Sequence, residues 1–285
     1  EVAVKVSHRQ LQQQDISDRV ENEVRIHSTL PRHKNVVRAT KFFEDEESTY
    51  LVMELCTRGN LYRELRARGK FSEAEAKIIM KQLLMAIQHL HNEGVVHRDL
   101  KLSNILMAGR QDSIEVKLCD FGLAARIEHP DEEHYTLCGT PNYIAPEIAS
   151  NQAHGYPADL WSLGCLFYTL IVGSPPFEPE QDKKAKTGKG KNTATEAGQD
   201  GPHASRSQHT RSTFDKIISG QYAVPEGIQL SLAGRALLAT LLNQNPAQRA
   251  SAREVLQSPY FSEEVDEVSL GPEVVIKEQE EEDEE

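Results

Sequence analysis

Apolar residues recur along the chain at two spacings, and the two spacings predict two kinds of element. Short runs rich in β-branched and aromatic residues at positions 2–6, 36–43 and 49–55 predict three strands. The acidic sequence EDEES joins the second strand to the third. Apolar side chains three to four positions apart predict a helix over residues 16–27. The first 55 residues are therefore expected to form a small sheet and one helix.

Helical patterns dominate the rest of the chain. The sequence SEAE at residues 72–75 is a capping box, and the apolar stripe that follows it continues to Gly94. Residues 157–172 are apolar nearly all round, which predicts a helix buried on every side. Its single charge, Asp159, is expensive to bury without hydrogen bonds. Two shorter helices are expected near residues 232–242 and 252–256.

Two segments break these patterns. Residues 178–213 contain no large apolar side chain and are rich in Lys, Gly, Ser, Thr and Gln. Such a segment buries too little apolar surface to offset the entropy of ordering, so we predict a disordered insertion. Residues 262–285 are predicted to be an acidic disordered tail. Both segments are candidates for binding other proteins, with a solvated linker as the alternative.

The formal charge of −12 is concentrated in this tail. Residues 263–285 carry twelve acidic groups and one lysine, which accounts for −11, so the rest of the chain is close to neutral. A near-neutral folded part gives no electrostatic reason to expect a nucleic-acid partner. No run of eighteen apolar residues occurs, so no membrane partner is expected either.

The cysteines and histidines show no ligand spacing. The cysteines are Cys56, Cys119, Cys138 and Cys165. With no C-x-x-C pair, they are typical of free thiols in a reducing, intracellular compartment. His89 and His91 lie two positions apart in a predicted helix, so they do not share a face, and we interpret them as ordinary polar positions.

The stretch HRDLKLSNILMAGRQDSIEVKLCDFG, residues 97–122, carries the candidate chemistry. Phosphoryl transfer needs a carboxylate that orients the attacking hydroxyl, and oxygen ligands that hold Mg²⁺ against the phosphates. Asp99 suits the first task, and Asn104 and Asp120 suit the second. The apolar runs ILM and VKL predict two short strands that hold Asn104 and Asp120 at their ends.

Chance occurrence of the tripeptides HRD and DFG is the alternative, and an ordered set of further motifs argues against it. Lys5, Glu23, the Ala145-Pro146-Glu147 motif and Arg249 all occur in sequence order around them. The set resembles the eukaryotic protein kinases over about residues 1–261.

Within that superfamily, HYTLCGTPNYIAPEIA (134–149) and DLWSLGC (159–165) are most similar to the polo-like kinases. HYTLCGTPNYIAPEIA and RVENEVRIH (19–27) are most similar to the centriole-duplication branch of that family. HRDLKLSN, which contains Lys101, is similar to the other polo-like kinases.

The resemblance implies an α+β, bilobal kinase fold over residues 1–261, with a strand-rich lobe (1–55), a helical lobe (56–261) and ATP·Mg²⁺ between them. No G-x-G-x-x-G sequence precedes Lys5, because the printed sequence starts four residues before it. We therefore expect an N-terminally truncated domain that lacks the first two strands and the glycine-rich loop. A non-catalytic or impaired scaffold is the competing hypothesis.

The resemblance also implies catalytic roles. Lys5 would bind the α- and β-phosphates of ATP and pair with Glu23, with Glu21 as the alternative partner. Asp99 would orient a Ser or Thr hydroxyl of a protein substrate, and Lys101 would steady the charge that develops on the phosphoryl group.

The adenine pocket is expected along the third predicted strand, residues 49–55, and around it. Met53 would be the gatekeeper, and Glu54 and Cys56 would present backbone groups to the purine. Ala3 and Leu106 would sandwich the ring, although small apolar residues are core in almost any fold.

Regulation is expected in the activation segment, residues 120–147. Thr136 is the candidate for activating phosphorylation, since a phosphate adds about −1.5 to −2 charge and would pair with Arg98. A solvated hydroxyl is the alternative. Thr140 is expected to contact Asp99 and Lys101, a pairing that resembles serine/threonine kinases.

Three further residues are expected to support the site. Asp159 would hold the backbone of the HRD turn, and Glu147 and Arg249 would form a buried ion pair at the end of the activation segment. The implied location is intracellular and cytoplasmic, and a place at the centrosome or centriole follows from the resemblance alone.

Overall fold

The structure is a computed structural model. It describes residues 1–8, 14–110, 112–129, 132, 134–178 and 202–262.

A three-stranded antiparallel sheet forms the N-terminal part, in the order β1-β3-β2. The strands are β1 (Val2–His8), β2 (Ala39–Glu44) and β3 (Ser48–Glu54), and the helix α1 (Gln14–Thr29) connects β1 to β2. The three predicted strands and the predicted helix are therefore confirmed. The second strand starts three positions later than expected.

That difference has a packing reason. Val36 and Val37 are buried, but they belong to no strand of this sheet. Val36 forms an isolated bridge with Leu118, and Val37 N–H donates to the Leu118 carbonyl at 2.8 Å. The apolar run at 36–37 therefore joins the sheet to the helical part of the chain.

The helix α3 (Glu73–Asn92) begins at the predicted capping box, whose two reciprocal hydrogen bonds between Ser72 and Glu75 are both present. A short helix that the apolar pattern did not reveal, α2 (Leu61–Arg68), precedes it. Only Leu61 and Leu65 of α2 are buried, so its apolar signal is too brief to detect.

Two small antiparallel pairs position the residues that follow α3. β4 (Val95–Val96) pairs with β7 (Ala125–Arg126), and β5 (Ile105–Ala108) pairs with β6 (Glu115–Leu118). β5 and β6 correspond to the predicted ILM and VKL strands. Together the pairs bring residues 97–104 beside residues 119–124.

After the short helix α4 (Pro146–Ala149), the helix α5 (Tyr156–Val172) forms the centre of the helical part. Every residue from Ala158 to Ile171 is buried, as its uniform apolarity predicted. A Cβ atom on Gly164 would lie 2.7 Å from Leu242 Cδ2, so the glycine permits this close approach of the chain.

The C-terminal part contains α6 (Pro202–Ser219), α7 (Leu232–Leu241), α8 (Ala252–Leu256) and α9 (Pro259–Ser262). α7 and α8 confirm the two predicted short helices. Among the described residues, no helix is both long enough and apolar enough to cross a membrane.

The predicted disordered insertion at 178–213 is wrong for residues 202–213, which lie in α6. Thr213 and Ile217 are buried one turn apart and anchor the end of this helix. An anchored helix extends at little nucleation cost, which the composition argument neglected. Glu178, the first residue of the predicted insertion, is buried, and Ser262, the first residue of the predicted tail, ends α9. Residues 179–201 and 263–285 lie outside the described residues.

Candidate active site

Lys5 stands at the centre of a charged cluster between the sheet and the helical part. Its Nζ lies 2.8 Å from Glu23 Oε2 and 3.0 Å from Asp120 Oδ1. Glu23 is buried on α1, whereas Glu21 is exposed, so the alternative partner is wrong. Burial lowers the pKa of Lys5, but Glu23 and Asp120 outweigh it and the net pKa is raised. Lys5 is therefore held as a cation.

Asp99 is the centre of a second cluster. Its Oδ1 accepts a hydrogen bond from Thr140 Oγ1 at 2.8 Å, and its Oδ2 lies 2.7 Å from Lys101 Nζ. Asn104 Nδ2 donates to the Asp99 carbonyl at 3.0 Å and to Oδ2 at 3.1 Å. The predicted contact of Thr140 with Asp99 is present. The buried carboxylate is thus fixed in orientation by three side chains.

The β5–β6 pair places the two clusters side by side. Ile105 lies opposite Leu118 in this antiparallel ladder, so Asn104, just before β5, and Asp120, just after β6, are at the same end. Cys119 N–H donates to the Asn104 carbonyl at 2.9 Å. Asn104 and the residue before Asp120 are therefore in direct contact, and the two predicted strands hold Asn104 and Asp120 at their ends.

The oxygens of Asn104 and Asp120 fit a magnesium ion. Because the Asn104 amide nitrogen makes both bonds to Asp99, its oxygen is the atom left to face a cation. The Asp120 side chain is 40% exposed. Burial raises its pKa, but Lys5, the Gly122 N–H and His97 together lower it further, so the carboxylate is ionised. One carboxylate and one amide oxygen, completed by water and phosphates, is a donor set that suits Mg²⁺.

Asp159 supports the loop that carries Asp99. Its carboxylate accepts hydrogen bonds from His97 N–H at 2.9 Å and from Arg98 N–H at 3.0 Å, as predicted. Arg98 has a positive φ of 64°, a backbone conformation that persists only where surrounding contacts impose it. His91 Nε2 donates to the same carboxylate at 2.9 Å.

Our interpretation of His91 as an ordinary polar position was therefore wrong. It lies four positions after Ile87, on the apolar stripe of α3, and that spacing was the available signal. His89 makes different contacts: its Nε2 donates to the Pro31 carbonyl at 2.9 Å and its ring stacks on His33.

The sequence placed His27 on the stripe of the predicted helix but assigned no function to His27 or Phe121. The Phe121 ring is fully buried between the rings of His27, 4.6 Å away, and His97, 5.3 Å away. His27 Nε2 donates to the Val37 carbonyl at 2.6 Å. This column of rings joins α1, which carries Glu23, to the loop that carries Asp99.

The end of the activation segment is anchored by the predicted ion pair. Arg249 Nη1 lies 2.8 Å from Glu147 Oε1, and Arg249 Nη2 lies 3.1 Å from Oε2. Both side chains are buried, and Arg249 also donates to the carbonyls of Pro157 and Asn243. The charges of the guanidinium and the carboxylate thus offset each other, and the remaining N–H groups of Arg249 are hydrogen-bonded.

The predicted phosphorylation site is accessible. Thr136 is exposed, and the Arg98 guanidinium donates to the carbonyls of Leu123 at 2.6 Å and Ala124 at 3.5 Å. The proposed pairing of Arg98 with a phosphate on Thr136 stays a prediction.

The predicted adenine-binding residues lie in neighbouring elements. Ala3 pairs with Met53 across β1 and β3, and both are half-buried, as are Leu106 and Cys56. Glu54 N–H donates to the Arg38 carbonyl at 3.0 Å. Any contact of the Glu54 backbone with a purine would therefore have to come from its carbonyl.

Comparison with known proteins agrees with this geometry. A sequence profile of the protein kinase domain matches residues 1–261. The chain therefore belongs to the protein kinase family, whose members generally use ATP and Mg²⁺.

Relatives named serine/threonine-protein kinase PLK4 are similar to this chain. The Drosophila virilis protein is 39% identical over 263 residues, covering 91% of this chain and 29% of the relative. The Aedes aegypti protein is 40% identical over 262 residues, covering 91% and 30%. The Xenopus tropicalis protein is 37% identical over 264 residues, covering 92% and 24%. This chain thus spans less than a third of the length of these relatives.

Proposed function

We propose that this chain is a polo-like serine/threonine kinase that transfers the γ-phosphoryl group of ATP to Ser or Thr hydroxyls of protein substrates. The observation that carries the proposal is the fixed orientation of the Asp99 carboxylate. Thr140 holds one of its oxygens, and Lys101 and Asn104 hold the other. A carboxylate held in this way can orient a hydroxyl and accept its proton.

The neighbouring residues divide the remaining tasks. Lys5, held by Glu23, positions the α- and β-phosphates. Lys101, beside Asp99, offsets charge on the transferred phosphoryl group. Asn104 and Asp120 would hold Mg²⁺, which would supply positive charge to offset that of the phosphates.

The polo-like assignment is supported by relatives that share 37–40% identity with this chain over more than nine tenths of its length. An intracellular site of action at the centriole is proposed on the resemblance of the sequence motifs alone. Proteins that carry accessible Ser or Thr residues are the proposed substrates.

A non-catalytic kinase-fold scaffold is the second candidate. Such a protein would bind partners without transferring phosphate.

Transfer of ³²P from ATP to casein distinguishes the two candidates. The kinase proposal expects Mg²⁺-dependent transfer that falls by about 100-fold or more in Asp99→Asn, the range for loss of a general base. Asp112→Asn is the matched control, since Asp112 is exposed and its carboxylate pairs with Arg110, which is not a partner of Asp99. Equal rates in the original chain and Asp99→Asn, or no transfer by a chain that binds ATP, would support the scaffold.

A further inference from the structure

A groove of about 930 Å³ lies on the helical part, between the end of α2, the first turn of α3 and residues 227–235. It shares no residue with the candidate active site. Its floor is apolar: Phe71 and Leu230 are buried there, and Ile228 is half-buried.

The acidic residues of this groove are already hydrogen-bonded within the fold. Glu73 accepts hydrogen bonds from Ser231 N–H at 2.9 Å and from Ser231 Oγ at 2.6 Å. Glu75 accepts hydrogen bonds from Ser72 and from the Arg68 guanidinium. These carboxylates therefore face the protein rather than a ligand.

The two exposed charged side chains that line the groove are both basic. Lys70 and Arg235 both line it and are both exposed. Within the part of the chain that the structure describes, neither forms an ion pair. Leu232, beside this rim, is 86% exposed. The surface therefore suits a segment that combines acidic and apolar side chains.

The described chain ends close to this groove. In α9, the Tyr260 ring lies 5.6 Å from Lys77 Nζ on α3. Burial raises the pKa of Tyr260, and the nearby charge of Glu73, a groove residue, raises it further. α9 also packs against α7, the helix that carries Arg235. Residue 263 therefore follows directly after a helix that adjoins the groove.

The segment that follows has the complementary composition. Residues 263–285 carry twelve acidic groups and one lysine, and apolar residues are interspersed among them at Val265, Val268, Leu270 and the run VVI at 274–276. At roughly 3.3–3.6 Å per extended residue, a few residues suffice to reach an adjoining groove.

We propose that residues 263–285 dock in this groove of their own chain. Their carboxylates would bind Lys70 and Arg235, and their apolar side chains would pack against Phe71 and Leu230. A segment tethered beside its site has an effective concentration in the millimolar range, which favours it over a second copy at ordinary protein concentrations.

Hydrogen–deuterium exchange of the full chain tests the proposal. Backbone amides of residues 265–276 are expected to exchange roughly tenfold or more slowly in the original chain than in Lys70→Glu/Arg235→Glu. The protection should also fall at 0.5 M NaCl, because salt screens exposed charges. The matched control, Lys34→Glu/Lys41→Glu, changes net charge equally at exposed positions outside the groove and should keep the protection.

Unchanged exchange in α5 would show that each variant is folded. Fast exchange of residues 265–276 in the original chain would overturn the proposal, and so would protection that survives in Lys70→Glu/Arg235→Glu.

Carbodiimide cross-linking of mixed ¹⁵N-labelled and unlabelled chains identifies the occupant. Links from tail carboxylates to Lys70 within one isotopic form are the expected result. Links found mainly between isotopic forms would assign the groove to a second copy, and links spread evenly over all exposed lysines would overturn the site.

Discussion

His91 on α3 and Asp159 on α5 share a 2.9 Å hydrogen bond in the interior of the helical part. Asp159 is fully buried, so its carboxylate depends on such donors to offset the loss of hydration. Burial alone would raise its pKa, but His91 and the other donors lower it, so the group is ionised.

Replacing His91 should therefore destabilise the chain. His91→Phe keeps an aromatic ring but removes the donor, and we expect a loss of about 1–3 kcal/mol in the free energy of unfolding. Urea denaturation measures it. His89→Phe is the control two positions away, because His89 does not contact Asp159. Equal effects of the two substitutions would contradict the assigned role.

Glu23→Gln should slow phosphoryl transfer without unfolding the chain. The substitution removes the negative charge that holds Lys5 at 2.8 Å, and a tenfold loss corresponds to about 1.4 kcal/mol of transition-state stabilisation. Steady-state transfer to casein measures it. Glu21→Gln, on the exposed face of the same helix, should stay close to the original rate. Similar losses in both variants would mean that the ion pair has no special role.

Glu147→Gln should destabilise the chain strongly. Arg249 and Glu147 are both buried, and removing one charge of a buried pair leaves the other uncompensated, at a cost of about 3–5 kcal/mol. Thermal and urea denaturation measure the loss. Arg253→Ala, an exposed arginine four positions from Arg249, should change stability by less than about 0.5 kcal/mol.

Acidification should weaken the fold partly through His27. Burial lowers its pKa in the folded state, although the Val37 carbonyl opposes the shift. In the unfolded chain a histidine binds a proton with a pKa of about 6.5. The unfolded state therefore takes up more protons as pH falls below that value, and the free energy of unfolding decreases.

His27→Gln, which retains an N–H donor, should make this decrease shallower between about pH 7 and 5. His129→Gln, at an exposed position, is the control. Urea denaturation across this pH range measures both. A slope in His27→Gln equal to that of the original chain would show that His27 does not contribute.

Thr136→Ala should remove a phosphorylation-dependent gain in activity. A phosphate on Thr136 that pairs with Arg98 would form a charge-assisted hydrogen bond of about 1.5–3 kcal/mol, enough for roughly a tenfold change. The measurement is casein phosphorylation before and after phosphatase treatment. The original chain should lose activity on treatment. Thr136→Ala should have low activity before treatment and the same activity after it. Thr57→Ala, also exposed, is the control.

Periodicity anticipated the elements whose burial is uniform along their length. α5 is the clearest case, because a helix buried from Ala158 to Ile171 must be apolar on all sides. α2 was missed because only two of its residues are buried. The start of α6 was missed because a helix anchored at its C-terminal end continues through residues with no apolar signature of their own.

The local sequence determined which residues carry the chemistry, because phosphoryl transfer requires particular side chains at short fixed spacings, as in the stretch from Asp99 to Asp120. The family resemblance anticipated some distant partners, such as Glu147 and Arg249, and only the tertiary structure showed the others. Lys5 and Asp120 are 115 positions apart, and His91 and Asp159 are 68 apart. Such partners are brought together by the packing of whole helices and strands, and no short-range pattern encodes that packing.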